Sequence, residues 1–233
     1  MKAPDPRPQA PGTPAHVRAV MMKLARAIEN LEEPAVEKIA EEEHENPFHV
    51  LISTMLSAQT RDEVTYAAST RLFRKARTPR TMAALTTKAI EKLIYPVSFY
   101  RNKAVYVKET CRQLVARYGG KVPATMEEML TLPGVGRKTA NLVLILAHAS
   151  RENICVDTHV HRISNRLGWV RTKTPEQTEQ ALYTVTPKRW WPSVNLYLVT
   201  WGQNVCRPVY PRCAACVLAD ICPKIGVTKV SRT

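Results

Sequence analysis

No apolar run in this sequence approaches the roughly 18–20 residues that a membrane-spanning helix requires. The longest, Leu142 to Ala147, suits a buried helix segment and nothing more. Sustained period-two alternation is missing as well, and Ile154-Cys155-Val156 is too short to build a sheet. Glycine is sparse, with 8 in 233 residues, and no internal repeat recurs, so collagen-like and solenoid architectures are excluded. Acidic residues are outnumbered, 20 against 34 basic ones. Cysteine is rare outside the C-terminal tail, which excludes a small disulfide scaffold; Cys111 and Cys155 stand alone among apolar neighbours, as core fillers do.

What is present describes a globular chain. Apolar residues make up 45% and charged residues 23%, and the length suits one large domain or two small ones. The net charge of +14 creates a field that attracts polyanions, of which nucleic acid is the most abundant. A charge serving solubility alone is the competing reading. No basic amphipathic segment stands apart, so a membrane partner is not expected. Residues 1–14 hold five prolines and Asp5 without an apolar run, which predicts a flexible tail and neither a secretory signal nor a transit peptide. A reducing, cytoplasmic setting follows.

Helical spacing dominates the rest. Val17, Val20, Met21, Leu24 and Ile28 share one face, and Asn46-Pro47 opens a helix through Leu56. Asp62 is expected to cap a helix with Val64, Ala67, Ala68 and Leu72 on one side. Further helices are predicted over 79–85, 88–94 and 101–118, the last ended by Gly119-Gly120. Thr125 to Glu128 and Thr174 to Gln177 are capping boxes. Helices are also expected over 137–148, after Asp157, and around Val194 to Val199. Trp190, Trp191, Met21 and Met22 are assigned to the core, and Glu41 to Glu43 to a solvated face. The fold class is all-α.

Three groups of residues carry chemistry. In Leu132-Pro133-Gly134-Val135-Gly136-Arg137-Lys138, two helices meet through a glycine turn. Its amides, with those of the following helix's first turn, suit a phosphate oxygen. This is the pattern of a helix-hairpin-helix DNA-binding unit, placed at about 125–148. Lys138 lies in that helix's first turn, where the dipole disfavours its charged form and favours a nucleophilic amine. Asp157, nineteen residues on, can hold a positive charge or move a proton; surface lysine and plain N-cap are the bland alternatives. The third group is Cys206-x6-Cys213-x2-Cys216-x5-Cys222. Four clustered thiols fit a zinc ion or an iron–sulfur cluster, and a single Cys-x2-Cys knuckle with wide outer spacings favours [4Fe-4S]. Arg207 and Arg212 fall in the first loop, positioned to meet phosphate.

Together with Val156-Asp157-Thr158-His159-Val160 and Leu56-Ser57-Ala58-Gln59-Thr60-Arg61-Asp62, these motifs resemble the endonuclease III family of base-excision DNA glycosylases over roughly residues 20–225. The resemblance implies a two-lobed protein. A six-helix barrel would cover 41–150, and a discontinuous iron–sulfur domain 15–40 with 151–233. It implies a monomer that acts on double-stranded DNA containing a damaged base or abasic site. Lys138 matches the nucleophile, forming a Schiff base at C1′, and Asp157 the catalytic carboxylate. The four cysteines match the cluster ligands. Gln59 matches a residue that enters the space left by a flipped nucleotide. Phe99 falls where the family often has leucine as a wedge, and Ser98 where it usually has glycine; these departures leave the opposite-base preference open. His159, beside the aspartate, and the hairpin residues Gly134, Val135, Gly136 and Arg137 are expected at DNA. The implied activity is a glycosylase/AP lyase for oxidised pyrimidines. The alternatives are another base preference (mismatch or purine lesion) and a non-catalytic or redox-sensing damage binder.

Overall fold

A computed structural model describes residues 10–231 of the chain. Its helices, in order, are α1 (Pro14–Ala27), α2 (Ala35–Glu42), α3 (Pro47–Ser57), α4 (Asp62–Lys75), α5 (Pro79–Ala84), α6 (Thr87–Ile94), α7 (Tyr100–Tyr118), α8 (Met126–Met129), α9 (Arg137–His148), α10 (Thr158–Arg166), α11 (Pro175–Val185) and α12 (Ser193–Asn204). A 3₁₀ turn at Lys188–Trp190 precedes α12. No strand occurs among the described residues, and none of the helices is long and apolar enough to cross a membrane.

The chain divides into two compact units, Glu33–Asn153 and the remainder, which joins residues through Glu32 to those from Ile154 onward. In the first, α3 is the central helix: every residue from Phe48 to Leu56 is buried. A helix apolar on all sides must be surrounded, and α2, α4, α7 and α9 pack against it. Each fully buried Leu or Ile there, such as Leu51 and Ile52, contributes roughly 1.5–3 kcal/mol of transfer free energy. The 19-residue α7 runs past α5 and α6 and ends at Gly119, whose φ of +62° is the left-handed turn expected of a terminating glycine.

The second unit has its own core, built from Val17, Met21 and Leu24 of α1 with Val160, Ile163 and Leu198 of α10 and α12. Lys23 of α1 donates to Asp220 at 2.7 Å and to the Val217 carbonyl. His16, fully buried, donates from Nε2 to the Ile221 carbonyl at 3.0 Å. Helix α1 therefore braces the cysteine-bearing segment.

Several expectations need correction. Residues 1–9 of the predicted tail lie outside the described residues. Its end is structured: Thr13 caps α1 by accepting from the His16 N–H, and Pro14 is the first helical residue. Residues 35–40 form α2 and belong with the Glu33–Asn153 unit, because the apolar face of α2 is covered by α3 and α4. Arg61, not Asp62, occupies the cap position of α4; the Asp62 carboxylate instead accepts from the Ala35 N–H at the start of α2. The buried face of α4 is Thr65, Ala68, Ser69, Leu72 and Phe73, leaving Ala67 in solvent. Met22 is half-exposed, while Trp190 and Trp191 are partly buried. Glu43 is no idle surface acid, since it accepts from His49 and Arg77.

Candidate active site and cysteine pocket

The hairpin between α8 and α9 uses its two glycines differently. Gly134 has φ +73°, and a Cβ there would sit 2.9 Å from Cβ and Cγ of Tyr106, so both backbone conformation and space demand glycine. Gly136 has an extended backbone, and a Cβ there would meet nothing within 4 Å, so the fold alone does not require it. Val135 is buried, and its N–H donates to the Leu132 carbonyl at 3.2 Å, so its side chain is a core contact. Thr110 of α7 fixes the turn from below by donating to the Pro133 carbonyl at 2.8 Å. Gly134→Ala should cost about 1–3 kcal/mol of stability, whereas Gly136→Ala should leave stability within about 0.5 kcal/mol and weaken duplex binding. Thermal melts beside binding titrations on the two variants check this.

Lys138 is the second residue of α9, half-buried one step beyond the exposed Arg137. In the other unit, Asp157 caps α10, its Oδ1 accepting from the Val160 N–H at 2.8 Å. This cap engages one of the two carboxylate oxygens. His159 packs closely on α12: a Cβ on Gly202 would lie 2.5 Å from its Nδ1. That nitrogen is 3.1 Å from Nη2 of Arg162, so His159 is held within its unit by α12 and Arg162. Burial lowers the Arg162 pKa, and the nearby Cys206 and Asp157 partly offset the effect.

Gln59 and Phe99 are both exposed, in left-handed backbone conformations of φ +54° and +55°. Phe99 is 63% exposed, and Val97 fills the core beneath the loop.

Cys206, Cys213, Cys216 and Cys222 line one pocket, walled by apolar residues including Ile163, Leu167, Trp201 and Leu218. Among the described residues no group of three or more His, Cys, Asp or Glu side chains is placed to hold a metal ion. Burial pushes the Cys216 and Cys222 thiols up; backbone hydrogen bonds at Leu218 and Lys224 oppose it, and the neighbouring cysteines add to it more weakly. A cationic centre would reverse that balance, since coordination favours the thiolate. Arg166 organises the first loop, donating to the carbonyls of Arg207 at 2.7 Å and Pro208 at 2.8 Å and to Sγ of Cys206 at 3.4 Å. Arg207 and Arg212 are exposed at this loop.

Two residues without an assigned role in the sequence emerge here. Arg166, between Asn165 and Leu167, matches no motif and gives no signal. Lys103 gives one: it falls on the apolar face of α7, in register with Val107, Cys111 and Leu114. It is buried, and desolvation pulls its pKa down to about 8.

Two helices joined by a glycine turn, a lysine just inside the second, and a four-cysteine pocket define a helix-hairpin-helix protein of DNA base repair. In agreement, residues 52–188 match the HhH-GPD superfamily of base excision DNA repair proteins. The sequence is 49% identical over 177 residues to endonuclease III of Thermotoga maritima, covering 76% of this chain and 83% of that one. It is 47% identical over 178 residues to endonuclease III-like protein 1 of Gallus gallus, covering 76% of this chain and 63% of that longer one. The fold matches a trapped endonuclease III–DNA covalent intermediate with a TM-score of 0.80 and 34% identity, over 91% of this chain and 96% of that one. The chain belongs to the endonuclease III family and is a DNA glycosylase/AP lyase of base excision repair.

Proposed function

We propose that the protein excises oxidised pyrimidines from duplex DNA through Lys138 and then cleaves the strand. The amine of Lys138 attacks C1′ of the damaged nucleoside, the glycosidic bond breaks, and the base leaves with its electron pair and a proton. The sugar ring opens to a protonated Schiff base. Loss of a C2′ proton expels the 3′ phosphate by β-elimination, and water releases the lysine. Asp157 assists by accepting a proton and by stabilising positive charge on the opening sugar. The carrying observation is the placement of Lys138 in the first turn of α9, directly after the Gly134–Gly136 turn, where helix-start amides, which have no intrahelical acceptor, suit a phosphate. A related protein has been caught covalently attached to DNA, which supports the same chemistry here.

The Glu33–Asn153 unit then serves as the helical barrel domain and the other unit as the cluster domain. Four thiols around one apolar pocket, with a single Cys-x2-Cys knuckle and wide outer spacings, fit a [4Fe-4S] cluster better than zinc. Cys206, Cys213, Cys216 and Cys222 would hold it; when bound, it supplies a cross-link for an otherwise irregular segment. Arg207 and Arg212 would reach phosphate from the same loop. We further propose a monomer working in the cytoplasm at the nucleoid. Purified protein should be brown, and Cys222→Ser should lose the broad visible absorption and melt at lower temperature. A colourless wild type carrying one zinc would overturn the cluster.

Borohydride trapping tests the reaction. Duplexes bearing thymine glycol or an abasic site should each yield a covalent adduct, with the modified peptide containing Lys138. Absence of an adduct on both, with base release retained, would mean a hydrolytic glycosylase instead.

A further inference from the structure

One buried charge is used neither by the catalytic residues nor by the cysteine pocket. Lys103 is 8% exposed, on the inward face of α7. Its Nζ donates to the carbonyls of Leu56 at 2.7 Å and Ala58 at 2.6 Å and to Oγ1 of Thr60 at 3.2 Å. An ammonium has three donors, and here three oxygens receive them. The two carbonyls stand at the C-terminal end of α3, where the helix dipole is negative and carbonyls lack helical partners. A cation there compensates for both, which accounts for a lysine on an otherwise apolar stripe.

The same residue touches both candidate inserting segments. Gln59 lies between Ala58 and Thr60, whose oxygens Lys103 holds. The backbone N–H of Lys103 donates to the Phe99 carbonyl at 3.0 Å, closing the first turn of α7. Thr60 Oγ1 also accepts from the Ser98 N–H at 3.2 Å, tying the two loops together directly. Both Gln59 and Phe99 hold a left-handed backbone that non-glycine residues adopt only when their surroundings enforce it.

We propose that Lys103 is a positioning residue for lesion recognition, registering Gln59 and Phe99 against each other so that both enter the duplex together. This rests on the reading of Gln59 and Phe99 as the inserting residues. Lys103 does not touch DNA; it acts through the loops it holds. Removing its charge takes the ammonium from the Leu56 and Ala58 carbonyls, leaves Thr60 Oγ1 with the Ser98 N–H alone, and frees the Gln59 loop to relax.

The test is a double-mutant cycle on the full-length, cluster-containing protein. Affinity is measured by fluorescence anisotropy for a duplex carrying a tetrahydrofuran abasic analogue and for the undamaged duplex. Lys103→Met should weaken binding to the abasic duplex about 10–30-fold and to undamaged duplex by less than about threefold. In a Gln59→Ala or Phe99→Ala background the same substitution should cost less than about threefold, because what it positions is gone. An equal cost in all backgrounds would overturn the proposal and leave Lys103 a general stabiliser. Should Gln59→Ala and Phe99→Ala each bind the abasic duplex like wild type, the reading of these residues as inserting fails, and the proposal with it. If Lys103→Met does not fold, Thr60→Val carries the same cycle: it removes the hydroxyl shared by Lys103 and Ser98 while leaving the ammonium on its carbonyls. Additivity there is equally decisive against the proposal.

Discussion

Lys138→Ala is expected to abolish the borohydride-trapped adduct and to lower strand cleavage at an abasic site by about 10³-fold or more, roughly 4 kcal/mol of transition-state stabilisation. A Schiff base needs a primary amine at the sugar, and alanine has none to supply. The fold has little reason to suffer. Lys138 lies in the first turn of α9, half-buried, and alanine is the better helix former. Duplex binding should persist, because the hairpin glycines and the exposed Arg137 are unchanged. A variant that melts like wild type and binds abasic DNA, yet forms no adduct, assigns the nucleophile. Undiminished cleavage would mean that another amine does the work.

Asp157→Asn should reduce base release by about 10²–10⁴-fold while leaving the melting temperature nearly unchanged. Two roles meet in this residue, and the amide separates them. Asparagine caps helices about as well as aspartate, so the bond from the Val160 N–H to Oδ1 survives. What disappears is the negative charge and the ability to take a proton. Asp157→Ala removes both roles and should cost about 1 kcal/mol of stability besides the activity. Melting curves and single-turnover base release on the two variants distinguish a catalytic carboxylate from a mere cap. If the asparagine variant kept full activity, the cap alone would be the function of Asp157.

Much of the architecture is local in origin and hence legible in the chain. The cap of Asp157 on α10, the proline at the start of α3, the stop at Gly119 and the span of α9 each depend on a few adjacent residues. Helical periodicity shows because one face must be apolar wherever a helix packs. The short α2 escapes such a reading: Glu37 is buried on it and its start is satisfied from Asp62, twenty-seven residues away. The hairpin is half legible. Its motif announces two glycines, but only packing against Tyr106 shows that Gly134 is compelled by the fold and Gly136 is not.

By itself, then, the sequence determined the helical class and the family, since these depend on residue types at fixed spacings along one segment. Tertiary structure alone decided which oxygens a buried ammonium meets, that His159 packs against Gly202 and that Arg166 holds the Cys206 loop. It also decided that Val135 turns inward while Phe99 stays in solvent. Those outcomes depend on groups brought together from distant parts of the chain: Lys103 lies 47 positions from Leu56, and Arg166 lies 41 from Arg207. Hydrogen bonds and burial act across space, so a partner so far away in sequence leaves no local pattern to read.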